Sequence, residues 1–256
     1  MLKSSHFWKF WLPPHLIAGV GLWFAHDWKV LFTFFISYAL ISGLGVAVGF
    51  HRYFSHKAFT TSVLWQHAML YFGSLACHGN VLFWVALHRG LHHRYSDEKQ
   101  DPHSPCHGIW QAYQGYAFTI DPKTVPLRAG VDIIRRKDWE WAITHYTKIV
   151  YGTWLALLLV SAVSGQWWLL IGFALAQVWA IHQEAAVNVL GHTNGFGAYR
   201  NYDTEDKSVN RPILGLLTWG QALHNNHHGD AGNPNFGGVR WYELDPSMLW
   251  IKAISK

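Results

Sequence analysis

The chain is poor in cysteine and poor in charge. Only Cys77 and Cys106 stand in 256 residues, too few for a disulfide framework or a zinc ribbon; they read as ordinary thiols in a reducing compartment. Charged residues make up 14% of the chain, and although the formal net charge is +5, the longest basic run is Arg135-Arg136-Lys137. Nucleic-acid modules cluster their basic residues and carry little continuous apolar sequence, so no nucleic-acid partner is expected. Internal repeats and low-complexity linkers are missing. The first apolar run follows Lys3 and Lys9 without a small-residue cleavage site and leads into further apolar runs, so no cleavable signal is expected.

Apolar and aromatic residues fill the space. Half of the residues are apolar, with 16 Trp, 11 Tyr and 15 Phe. Residues 31–50, "LFTFFISYALISGLGVAVGF", carry no charge, and about 20 apolar residues of helix suffice to cross a bilayer core. Residues 10–25 form a second candidate, with Pro13-Pro14 placed where a first helical turn tolerates them. "HDWK" (His26 to Lys29) would turn this pair into a hairpin. Residues 149–164 and 167–187 form another hairpin around "SGQ". The apolar stretch 62–87 is broken by Gln66, His67, His78 and Asn80, and reads as helices lying against the membrane domain.

This pattern predicts an all-α integral membrane protein made as one domain over 1–256. Four transmembrane helices in two hairpins would carry a cap formed by 51–148 and 193–256. Of the 20 Lys and Arg, only Lys29 would fall on the far side, so the positive-inside rule makes the cap cytoplasmic. Trp8, Trp11, Trp28, Tyr151, Trp167 and Trp168 crowd the span ends, as interfacial anchors do.

Histidine is the anomaly, with 18 copies. Four clusters stand out: "HRYFSH" (His51, His56), "HRGLHH" (His88, His92, His93), "NVLGH" (Asn188, His192) and "HNNHH" (His224, His227, His228). His88 and His92 lie one helical turn apart and share a face, as do Asn188 and His192, and as does His224 with His227 and His228. The adjacent His92 and His93 point about 100° apart on a helix, which suits two neighbouring metals better than one. His51 and His56, five apart, converge only if the helix frays after Phe50. Nine imidazoles exceed one ion's needs and fit two; imidazole itself suits zinc, copper, iron and nickel. Soluble di-iron bundles use Glu-x-x-His pairs, and no Glu-x-x-His or Asp-x-x-His occurs here. A lone histidine on an apolar face is ordinarily structural, which is the reading for His15, His26, His67, His78 and His145. A histidine-rich metal transporter would place ionisable residues deep inside several spans, and these spans are clean.

With these motifs the chain resembles the membrane-bound fatty acyl desaturases, the acyl-CoA and acyl-lipid Δ9 branch. Their three histidine boxes stand here as His51–His56, His88–His92–His93 and His224–His227–His228. "GFHRYFSHKAF" closes the second span, "SDEKQDPHSP" follows the second box, and "NVLGH" ends the fourth span. The similarity covers about residues 45–245. It departs where three residues separate His88 from His92 and where Ala185 replaces a common Trp.

The resemblance implies two Fe ions (Fe2+) that use O2 to place a cis double bond, at Δ9, in a saturated acyl chain carried on CoA or lipid. Removing hydrogen from such a chain calls for a redox metal, which zinc is not. One iron would take His51, His56, His88, His93 and His228. The other would take His92, His192, His224 and His227, with Asn188 near it through water. Asp97, Asp101, His182 and Glu184 are candidates to orient these rings. Gly43, Gly45 and Gly49 could leave room for the acyl chain, or simply let helices approach. Arg135-Arg136-Lys137 could attract an anionic head group. The chain shows neither a Cys-rich iron–sulfur cluster nor the H-P-G-G of b-type cytochrome domains. Electrons would therefore come from a separate ferredoxin or b-type cytochrome. The expected location is a bacterial inner membrane or its equivalent. A membrane hydroxylase or ketolase on a lipid is the nearest rival reading.

Overall fold

The computed structural model describes residues 3–24, 27–195 and 197–256. His26 and the Ala25 end of the first expected span lie outside the described residues. Among the described residues the protein is helical, with no sheet and three isolated bridges.

Among the described residues three helices are long and apolar enough to cross a membrane: Trp28–Ser55, Tyr146–Ser164 and Trp168–Leu190. They contain the runs 31–50, 149–164 and 167–187, except that Trp167 itself only precedes the last helix. Asp27 starts the first by accepting a hydrogen bond from the Lys29 N–H at 2.9 Å, which satisfies one of the free donors of a helix start. Gly165, with φ of +71°, ends the second in the left-handed conformation that glycine adopts without strain.

The N-terminal helix differs. Pro13 and Pro14 supply no N–H, and the turn before them, Phe7–Trp11, is π-helical, closed by the Leu12 N–H on the Phe7 carbonyl. The α-helical Leu12–Phe24 segment has 13 residues, about 20 Å of helix against a hydrocarbon core of ~30 Å. Its Leu16, Val20, Trp23 and Phe24 are exposed.

Trp168–Leu190 is the central post and packs against Leu12–Phe24, Trp28–Tyr38 and Tyr146–Ser164. The Tyr146–Ser164 helix stays on the outside, with Leu155, Leu159 and Val163 exposed. The Val63–Ser74 helix lies along Ala39–Ser55, and the short Val81–Leu87 helix leads directly into the second histidine cluster. Stretch 62–87 thus forms two helices buried against the main body, as its interruptions predict.

The last part of the chain is fastened to the end of Trp28–Ser55 by one ion pair. Arg52 meets Asp245 at 2.8 Å, and both side chains are fully buried. Arg52 also donates to the carbonyls of Ala47 and Pro234 and lies 3.6 Å from the centroid of the Phe236 ring. Asp245 accepts the N–H groups of Phe236 and Ser247. Nearly every hydrogen-bonding position of the pair is used, which is what permits the charges to be buried.

Candidate metal centre

Wide helical turns bring the histidines together. The chain is π-helical over Ala39–Ser55 and again over His88–His92. In such turns a residue lies above its fifth neighbour. The His56 N–H accordingly reaches the His51 carbonyl at 3.1 Å, and the His93 N–H reaches that of His88 at 2.9 Å. His51 and His56 therefore converge without any fraying, which corrects the sequence expectation. The same widening pairs His88 with His93 and turns His92 the other way.

Two groups of nitrogens result. The first is His51, His56, His88, His93 and His227; the second is His92, His192, His224 and His228, each with its donor atoms within 4.8 Å of one another. In the first, Nε2–Nε2 separations are 2.9 Å for His51–His227 and His93–His227, 2.8 Å for His56–His88 and 3.1 Å for His88–His93. In the second they are 2.9 Å for His192–His224 and 3.1 Å for His224–His228. Imidazole nitrogens bound at ~2.0–2.1 Å to one ion stand roughly 3 Å apart, so both groups have the spacing of a ligand shell. The expected sharing of ligands needs one correction: His227 belongs to the first group and His228 to the second. On the His224–Gly229 helix, His228 follows His224 by one turn, and His227 points about 100° away from it.

Burial holds the His88, His93, His224 and His227 rings well below the ordinary imidazole value. It pushes His56 to about 3 and, against the hydrogen bond to Asp206, His228 to about 4. Neighbouring imidazoles reinforce this in each case. Neutral rings offer the lone pairs that a metal requires.

Carboxylates orient the second group. The Nδ1–H groups of His92, His192 and His228 donate to Asp101 at 2.9 Å, Asp97 at 3.0 Å and Asp206 at 2.5 Å. Each bond fixes the tautomer that leaves Nε2 free. His224 uses the Gln221 carbonyl at 3.2 Å. Burial opposes ionisation of Asp101 and Asp206, yet His103 and His92 beside the one, and His228 beside the other, hold both carboxyls below the usual range.

In the first group, His51 Nδ1 meets the Gln221 side-chain oxygen at 2.9 Å. Among the described residues His227 Nδ1 is buried without a hydrogen-bond partner. Among the described residues no carboxylate bonds a ring of this group. Asp206→Asn should therefore weaken metal retention in the second group about 10–100-fold, read as faster loss of one metal to a chelator. Retention equal to that of the parent would contradict the role.

Asp97 and Asp101 thus stand where the sequence suggested. His182 does not: its ring meets His15 at 2.9 Å and the Tyr113 hydroxyl at 2.7 Å, on the side of the helix that faces the N-terminal segment. Glu184 bonds Gln221 rather than any imidazole. Asn188 borders the same space as His224 and Tyr116.

The sequence reading passed over Asp206, Gln221 and His103. Asp206 sits among other acids in "NYDTEDK", with no spacing to single it out. Gln221 lies three residues before His224, a helical step that could have marked it. The His103 ring lies tilted against His92 with centroids 4.6 Å apart, and its backbone N–H donates to Asp101. His92, Asp101 and His103 also cluster at ligand distance. However, His92 spends its Nδ1–H on Asp101 and its Nε2 on the second group, so this cluster is a support and not a third shell.

A cavity of about 360 Å³ opens beside the two groups, within the usual size range of ligand sites. His51, His88, His92 and His224 border it at the metal end. Trp84, which stacks on His88 at 4.7 Å, Leu87 and Tyr116 continue the wall towards Phe10 and Tyr146. Gly43, Gly45 and Gly49 are not part of this wall. A Cβ on Gly43 would stand 2.8 Å from the Trp219 ring, on Gly45 2.4 Å from the Gly73 nitrogen, and on Gly49 2.8 Å from Met69. They serve helix packing, and the tunnel expectation for them is corrected: close backbone approach, and not vacant space, is why glycine stands there.

Two shells of imidazole compatible with metal binding, beside a cavity with room for an apolar chain and on a scaffold with three membrane-length helices, define the class: an enzyme of the membrane acting on lipid chains. The chain belongs to the fatty acid desaturase family, whose model matches residues 26–254. It is 33% identical over 249 residues to the sn-1 stearoyl-lipid 9-desaturase of Synechocystis sp., covering 96% of this chain and 76% of that one. It is 29% identical to the sn-1 stearoyl-lipid 9-desaturase of Anabaena variabilis, over 89% and 81% of the two chains. It is 27% identical to the hex-5-enoyl-[acyl-carrier protein] acetylenase of Moorena producens, over 100% and 84%. The protein is accordingly an oxidoreductase, a fatty acyl desaturase.

Proposed function

We propose that the protein is a di-iron desaturase that places a cis double bond at the Δ9 position of a saturated fatty acyl chain. The observation that carries this is the pair of imidazole shells at the head of an apolar cavity. The donor set fits iron: imidazole suits it, and an unactivated C–H bond calls for a redox metal. The Δ9 position and a lipid-borne chain follow the two stearoyl-lipid 9-desaturases; a CoA-borne chain is the alternative carrier, as in the acyl-CoA 5-desaturase of Anemone leveillei.

When bound, the irons supply, with O2, the oxidant that removes two hydrogens from the chain. The rest of the work falls to the protein. His51, His56, His88, His93 and His227 would hold one ion, and His92, His192, His224 and His228 the other, with Asn188 near the second through water. Asp97, Asp101 and Asp206 fix the ring tautomers. Trp84, Leu87 and Tyr116 line the chain's path and exclude water from it. Four electrons and four protons reduce O2 to two waters; two of each come from the acyl chain as its two hydrogens, two electrons come from a separate ferredoxin or b-type cytochrome, and two protons come from the solvent. In the membrane, Leu12–Phe24 and its preceding turns join the three long helices as a fourth span. The metal end then faces the cytoplasm, by the charge asymmetry of the sequence.

Expression in cells unable to make unsaturated fatty acids tests this reading. Monounsaturated chains should appear in the lipid profile. Saturated chains left unchanged with iron and reductant present would overturn it, and a hydroxylated chain would assign the protein to the hydroxylase chemistry instead.

A further inference from the structure

The two shells are oriented by different means, and the difference points to a residue that acts at a distance. Three rings of the second shell donate to carboxylates, which can only accept. His51 instead faces Gln221, whose amide has a donor end and an acceptor end. An amide left free to turn could present its NH2 to His51 Nδ1. That would favour the tautomer carrying its proton on Nε2, which cannot bind a metal.

Glu184 removes this ambiguity. Its carboxylate accepts from Gln221 Nε2, and Gln183 Nε2 donates to the same oxygen at 3.4 Å. The NH2 end of Gln221 is the end that faces Glu184. The amide oxygen must then face His51, at 2.9 Å, and accept its Nδ1–H. His51 Nε2 is thereby left as a lone pair, 2.9 Å from His227 Nε2. Gln221 is buried. Glu184 lies on the Trp168–Leu190 helix, Gln221 on the turn before the last histidine cluster and His51 on Trp28–Ser55. The relay thus ties three parts of the chain to one tautomer.

We propose that Glu184 is a positioning residue for the first metal. Acting through Gln221, it sets the His51 tautomer, the task that Asp97, Asp101 and Asp206 perform directly in the second shell. The proposal rests on the two-metal reading above.

The test is a metal titration of the purified protein with Fe(II) under anaerobic conditions, counting iron per chain. Glu184→Met keeps the bulk and removes the acceptor. It should weaken one of the two irons about 10–100-fold and leave the other unchanged. The double exchange Glu184→Gln with Gln221→Glu supplies an acceptor-only group directly to His51, while the amide introduced on the Trp168–Leu190 helix can donate to the relocated carboxylate. It should restore two irons at the parent's affinity, a rescue that loss of packing alone would not show. Full affinity for both irons in Glu184→Met, or an exchanged variant as weak as the single one, would overturn the proposal. Parent protein that fails to bind two irons would instead count against the two-metal reading itself. Should Glu184→Met fail to fold, the exchanged variant alone decides, by restoring or not restoring the second iron.

Discussion

His227→Ala and His92→Ala should each abolish desaturation, and each should remove a different metal. His227 is fully buried, and its Nε2 lies 2.9 Å from those of both His51 and His93, so its removal opens the first shell. His92 belongs to the second shell. Changing a group that merely orients a ligand already costs about 10–100-fold in affinity or activity. Loss of a ligand itself should therefore take turnover at least ~100-fold down, to background. Iron per chain should fall from two towards one in both variants. The protein should still reach the membrane fraction in normal amounts, because the three long helices do not depend on the metal shells. Retained turnover in either variant would break the two-shell account. So would loss of both metals in each, since that would make the nine imidazoles a single unit.

Asp245→Ala should cause the largest loss of stability. The Arg52–Asp245 pair is completely buried. Removing the carboxylate leaves the guanidinium charge without its counter-ion, at a cost of about 3–5 kcal/mol. The N–H groups of Phe236 and Ser247 lose their acceptor as well. For a chain of this length that corresponds to a fall in Tm of about 10 °C. The effect should reach the first shell, because Phe236 packs on His227 and His51 with centroids 4.4 and 5.3 Å away. Metal should thus be lost from this shell before the second. A melting temperature equal to the parent's would contradict the role assigned to the pair.

The sequence disclosed the histidine set and the apolar runs because both are local. A box such as "HNNHH" is visible in five letters, and a span of 20 uncharged residues needs no partner to be recognised. What it concealed depends on backbone detail and on distant contacts. The resemblance already grouped His51, His56, His88 and His93, but the π-helical turns that bring each fifth neighbour round are not visible in the spacing. His227 and His228, which the resemblance divides the other way, are sorted by the one-turn step from His224 to His228. Asp206 and Gln221 act on histidines through tertiary contacts that no spacing encodes. Of the two roles open to the glycines before His51, room for a chain or close helix approach, the second holds: the crossing helix and the Trp219 indole fill the space. The cavity borrows a wall from Phe10 and Tyr146, residues more than a hundred positions apart.

The most direct measurement is product analysis with the purified, iron-loaded protein, given O2, a reductant-coupled electron donor and a lipid-borne stearoyl chain deuterated at the two carbons of the expected bond. The account predicts a cis-monounsaturated chain that has lost one deuterium from each labelled carbon and gained no oxygen. A chain that keeps its full label, or one that carries a new hydroxyl, would contradict it.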